Sequence, residues 1–147
     1  MDNMYEQKFE KLVKAANAAR RKAYAPYSKF SVGAAIITSE GTIYTGCNIE
    51  NAAYPVGICA ERVAVSKAVS EGERRFLAIA IVGGVVGEKK CDFCSPCGMC
   101  RQFMREFADK DLKVVLARID EDESIVEYKT YNLEELLVDS FGKEWVK

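Results

Sequence analysis

The stretch Cys59-Ala60-Glu61-Arg62-Val63-Ala64-Val65-Ser66-Lys67-Ala68-Val69-Ser70, followed five residues later by Phe76-Leu77-Ala78-Ile79-Ala80-Ile81-Val82, decides how this chain folds. In the first part Ala60, Val63, Ala64, Ala68 and Val69 recur at helical spacing, which predicts a helix over 59–70 buried on most sides. The second part is unbroken apolar sequence and predicts a central strand covered on both faces. A buried helix leading into a doubly covered strand belongs to a sheet sandwiched between helices.

Outward from this unit the same alternation continues. Phe9, Leu12, Val13, Ala16 and Ala19 mark an amphipathic helix over 4–24, broken by Ala25-Pro26-Tyr27-Ser28. Strands are predicted over 30–38 and 42–46 about the turn Ser39-Glu40-Gly41, followed by an irregular segment over 48–57. Downstream come a helix over 97–107, strands over 113–117 and 124–130, and a short helix capped by Asn132 with Glu135 three residues on. Gly83-Gly84-Val85-Val86-Gly87 lacks dinucleotide-loop spacing and precedes no helix, so it reads as a flexible exit from a strand. The 147 residues suit one domain spanning 1–147.

Composition narrows the function. A net charge of -1 disfavours a nucleic acid polymer as partner, because phosphate contacts need a basic surface. No apolar run reaches membrane-span length, and the N-terminus reads as a mixed polar helix rather than a signal sequence. Four of the six cysteines crowd between Cys91 and Cys100, with Cys47 and Cys59 outlying, in a chain long enough to fold without staples, so the expected compartment is the reducing cytoplasm.

The chain has no histidine. Thiolates and carboxylates must therefore carry any catalysis. Cys59 and Cys97 each fall where a helix begins, which lowers thiol pKa and favours metal ligation. With Cys100 they form a three-thiolate set that leaves tetrahedral zinc one position for water, the pattern of a catalytic site. Glu61, two residues from Cys59, would carry protons beside that water. Arg62 would offset the negative charge by hydrogen bonding to ligand sulfur. Two rival readings use the even spacing of Cys91, Cys94, Cys97 and Cys100: an iron–sulfur run, or a four-thiolate structural knot. Neither explains Cys59-Ala60-Glu61, and the catalytic reading leaves Cys91 and Cys94 as bystanders.

Four motifs in order extend this reading. They are Ala25-Pro26-Tyr27-Ser28-Lys29-Phe30-Ser31-Val32-Gly33-Ala34-Ala35, the run Gly46-Cys47-Asn48-Ile49-Glu50-Asn51-Ala52-Ala53-Tyr54-Pro55, Cys59-Ala60-Glu61-Arg62, and Pro96-Cys97-Gly98-Met99-Cys100-Arg101-Gln102. The chain resembles the small, homotetrameric cytidine deaminases from its first helix to Phe141-Gly142. The resemblance implies a three-layer α/β/α sandwich around a mixed five-stranded sheet. It also implies one zinc per chain on Cys59, Cys97 and Cys100, with Glu61 as proton shuttle. Asn48 and Glu50 would hold the ribose 3′-hydroxyl and Phe30 would stack on the base. Ala52 and Tyr54 would lie near the 5′ end, and the amide at Ala60 would stabilise the new oxygen. Phe141 would reach the active site of an adjacent subunit. The implied reaction is hydrolytic deamination of the nucleosides cytidine and deoxycytidine in pyrimidine salvage. A deaminase of a modified nucleoside such as blasticidin is the alternative.

Overall fold

The computed structural model describes residues 3–146; Met1, Asp2 and Lys147 of the expected domain lie outside the described residues. Its elements are α1 (Asn3–Arg20), β1 (Phe30–Thr38), β2 (Ile43–Cys47), α2 (Ala60–Ser70), β3 (Phe76–Val85), α3 (Gly98–Phe107), β4 (Lys113–Ile119), β5 (Ile125–Asn132) and α4 (Leu133–Leu136). The strands form one sheet in the order β2-β1-β3-β4-β5. Only the β3–β4 pair is parallel, and α3 lies in the connection between these two strands.

Strand periodicity splits the core into two layers. Ala34, Ile36, Ile79, Ile81, Val114 and Leu116 point to one face, where Ala60, Ala64, Val65 and Ala68 of α2 and Met104 of α3 cover them. Ala35, Ile37, Ala80, Val82, Val115 and Ala117 point to the other, against Leu12, Val13 and Ala16 of α1. The result is the expected α/β/α sandwich with a mixed sheet. The continuous apolar run of β3 follows from burial on both sides. Helix α2 is narrower in its burial than expected: Ser66, Lys67 and Ser70 are exposed, and Val63 and Val69 are only half-buried.

Two boundaries shift for physical reasons. Helix α1 stops at Arg20 rather than Tyr24, because Tyr24 leaves the helix to pair with the segment after β2. Its N–H donates to the Asn48 carbonyl at 3.0 Å, and its own carbonyl accepts from the Glu50 N–H at 2.8 Å. Strand β3 continues through Gly83 and Gly84, which pair with Val32 and Ser31; these glycines are strand, not a flexible exit. A Cβ on Gly83 would stand 2.8 Å from Cys94 Sγ and 2.9 Å from Phe30 Cε2. The missing side chain makes room for the elements that cross this end of the sheet.

Gly33 is more constrained still. A Cβ there would lie 1.9 Å from the Ala16 carbonyl oxygen and 2.6 Å from the Arg20 nitrogen, both backbone atoms of α1. Gly33→Ala therefore has to push the helix off the sheet. Overpacking of this kind costs about 1–3 kcal/mol, and a thermal melt followed by circular dichroism should show a loss of several degrees.

Candidate active site

Helices α2 and α3 begin side by side at one end of the sheet, and each is preceded by a cysteine in extended backbone, with Cys59 at φ -78°, ψ 154° and Cys97 at φ -67°, ψ 165°. Cys100 sits one turn into α3 and is fully buried. The Cys59 and Cys97 sulfurs are 3.8 Å apart, those of Cys97 and Cys100 3.5 Å, and all three lie within 4.8 Å of one another. Tetrahedral zinc with bonds of about 2.3 Å requires sulfurs about 3.8 Å apart. The donor set is soft and convergent, and it fits zinc.

The surrounding groups are arranged to favour thiolate. The Cys59 thiol is pushed down to about 5, first by a hydrogen bond from Cys100, then by the Arg62 guanidinium and Cys97. The same bond to Cys59, together with burial, pushes the Cys100 thiol up. Metal binding would displace that remaining proton. Arg62 Nη2 lies 3.9 Å from Cys59 Sγ, where it can offset thiolate charge. Glu61 is 4 % exposed, and burial pushes its carboxyl up to about 7. A carboxyl near neutrality can both take and give a proton at physiological pH.

These groups open into a cavity of about 680 Å³. Asn48, Glu50, Tyr54, Cys59, Ala60, Glu61, Arg62 and Cys97 line it, whereas Phe30, Ala52, Cys100 and Phe141 do not. Cys100 stands behind the surface it helps to form. Phe30 begins β1 on the cavity side of the sheet, with its ring over Gly83. Ala52 lies in the exposed loop before Tyr54. Phe141 is 61 % exposed, and its backbone carbonyl accepts from Gln102 Nε2 at 3.0 Å.

Asn48 and Glu50 are held by backbone. Asn48 Oδ1 accepts from the Val32 N–H at 2.8 Å, and its Nδ2 donates to the Phe30 carbonyl at 2.9 Å. Glu50 accepts from the Tyr27 and Ser28 N–H groups at 3.0 and 3.1 Å and from the Ser28 hydroxyl. The Ser28 contacts hold its carboxyl below the usual range, so it stays ionised.

Residues 6–116 match the family model described as the cytidine and deoxycytidylate deaminase zinc-binding region. The chain belongs to the cytidine deaminase family. It is 47 % identical over 135 residues to the cytidine deaminase of Sporosarcina psychrophila, covering 92 % of each chain. It is 46 % identical to that of Halalkalibacterium halodurans, over 76 % of this chain and 80 % of the relative. Among solved structures, the Burkholderia pseudomallei cytidine deaminase superposes with a TM-score of 0.78 at 43 % identity, covering 90 % of this chain and 98 % of that one. The Mycobacterium tuberculosis enzyme superposes at 0.73 with 36 % identity, covering 91 % and 97 %.

As a zinc-binding member of this family, the chain excludes the four-thiolate and iron–sulfur readings. Among the described residues, the convergent cluster contains Cys59, not Cys91 or Cys94. Those two flank opposite faces of β3, Cys94 against Gly83 and Cys91 against Gly84. Burial pushes the Cys94 thiol up to about 12 and the Cys91 thiol above its ordinary value. Both should resist iodoacetamide at pH 8 in the native enzyme and react only after unfolding, which peptide mass mapping reads directly. Sequence reasoning missed Ser28, Ser95 and Arg101 as structural partners of the site. All three lie inside the quoted motifs or beside them, but their partners are set by the fold and no spacing rule reveals them: Ser28 donates to the Glu50 carboxylate, and Arg101 donates to the Pro96 and Leu136 carbonyls and to the Ser95 hydroxyl.

Proposed function

We propose that this chain is a cytidine deaminase acting on cytidine and deoxycytidine, adding water at C4 of the base and releasing ammonia. The observation that carries the reading is the convergence of three sulfurs and one buried carboxyl, raised to about 7, at a single cavity. Bound at Cys59, Cys97 and Cys100, zinc supplies the Lewis acidity that makes water nucleophilic near neutral pH.

The chain's own groups do the rest. Glu61 accepts a proton from the attacking water and delivers it to ring N3, which makes C4 electrophilic. It then carries a proton to the departing amine. Backbone amides near Ala60 and Cys97, at the starts of α2 and α3, stabilise the oxygen forming on C4. Arg62 holds the Cys59 sulfur in place. Asn48 and Glu50, already fixed by β1 and by the 25–28 turn, hold the ribose 3′-hydroxyl without reordering. Phe30 stacks on the base. The backbone at Ala52 and the ring of Tyr54 lie near the 5′ end.

The protein acts as a homotetramer of single-domain chains in which Phe141 completes an adjacent active site. Exposed apolar side chains support this assembly: Tyr54 is 73 % and Trp145 69 % exposed, and Phe141 does not line the cavity of its own chain described above. The six free cysteines support a reducing, cytoplasmic setting. No helix among the described residues is long and apolar enough to cross a membrane.

Ultraviolet loss tests the reading with cytidine, deoxycytidine, CMP, blasticidin and a short single strand as substrates. Turnover of the two free nucleosides is expected. Turnover of blasticidin or the strand alone would overturn it.

A further inference from the structure

We propose that Arg101 is a positioning residue for the metal centre, clamping the segment before α3 so that the Cys97 sulfur stays convergent with Cys59 and Cys100. This rests on the zinc reading above. The segment from Phe93 to Cys97 has no regular secondary structure, yet it must deliver a ligand at the residue that immediately precedes α3. Its own polar groups would otherwise leave it free to shift. Arg101, one turn into the helix, closes back on it with two arms and reaches α4 with a third.

Arg101 Nε donates to the Pro96 carbonyl at 2.7 Å, immediately before Cys97. Nη2 donates to Ser95 Oγ at 2.7 Å, and Ser95 lines the cavity. Nη1 donates to the Leu136 carbonyl at 2.6 Å, the last residue of α4. The backbone N–H of Arg101 donates to the Cys97 carbonyl at 3.0 Å, so the same residue grips the ligand's own peptide. A planar guanidinium carries its donors on three separate nitrogens in a fixed fork, whereas a lysine ammonium concentrates its three donors on one atom. The third arm braces the loop against α4, which is anchored independently by burial of Leu133.

Arg105 provides the internal control. It projects from the next turn of α3 and holds the same C-terminal region through Ser140 Oγ at 2.8 Å and Glu144, but none of its hydrogen bonds reaches residues 95–97. A merely structural role predicts equivalent behaviour for the two arginines. The positioning role separates them.

The test uses holoenzyme and reads zinc transfer to an excess of coloured chelator. Groups that orient metal ligands change metal affinity or activity by about 10–100-fold. Arg101→Ala and Arg101→Lys should both release zinc about 10–100-fold faster than the unmodified enzyme, since lysine cannot span the three acceptors. The thiolate-to-metal bands of the cobalt-substituted variants should shift. Arg105→Ala should melt at lower temperature while releasing zinc at the unmodified rate. Should neither arginine variant fold, Ser95→Ala removes one acceptor and should still accelerate release. Wild-type release in the Arg101 variants, or in Ser95→Ala when it stands in for them, overturns the proposal. So does equal acceleration in Arg105→Ala. Failure of the zinc reading is seen separately, as unmodified protein that binds no zinc or leaves cytidine unchanged.

Discussion

Glu61→Gln is expected to retain one zinc per chain and to lose cytidine turnover by about 10²–10⁴-fold or more, because one group serves several proton transfers. The substitution preserves shape in a position only 4 % exposed, so the surrounding core and the three sulfurs keep their places. What it removes is the ability to bind and release a proton. A buried carboxyl raised to about 7 is suited to both directions of transfer, and an amide to neither. Metal content measured beside ultraviolet loss separates this outcome from a folding defect. Full turnover by the zinc-loaded variant would remove Glu61 from the mechanism.

The layers of the fold were legible wherever burial is periodic. Phe30–Thr38 is a strand over the predicted span, and the doubly covered Phe76 run reads correctly as central because both its faces are apolar. Reading stopped where the chain is shaped by contacts distant in sequence. The pairing of Tyr24 with the segment after β2 shortens α1, although residues 21–24 carry no helix breaker. Gly83 and Gly84 look like a loop because glycine is the common signal for both a turn and a close approach. The pairing with Val32 and Ser31 decides between them, with Cys94 and Phe30 crowding Gly83 and the Lys90 carbonyl crowding Gly84.

The site shows the same division. Cys59, Cys97 and Cys100 were legible because helix starts can be found from sequence and tetrahedral zinc needs a small, specific set of donors. Asn48 and Glu50 were singled out by motif alone, because the hydrogen bonds that hold them to β1 and to the 25–28 turn join segments distant in sequence. Phe141 is different in kind. Its exposed ring does not line the cavity at the cysteine cluster, so the role proposed for it rests on assembly and not on local geometry.

Cys100→Ala should abolish zinc binding and lower the melting temperature to that of the chelated wild-type protein. Cys100 is fully buried, so its sulfur is the one least able to be replaced by water or by another side chain. Two remaining thiolates, 3.8 Å apart on Cys59 and Cys97, would hold the metal with half a tetrahedron. A metal present at 1,000 times its Kd stabilises the folded state by about 4.1 kcal/mol. In a chain of this length about 1 kcal/mol moves Tm by about 2–4 °C, so the loss should be on the order of 10 °C. The cavity left by the deleted sulfur adds a smaller cost, which the chelated wild type lacks. The two proteins should therefore melt close together and well below the zinc-loaded enzyme. A Cys100→Ala protein that still carries one zinc and melts with the unmodified enzyme would show that the metal is held elsewhere. The sandwich itself should survive the loss, because both core layers are built without the metal. The variant is therefore expected to keep its far-ultraviolet circular dichroism while losing all turnover.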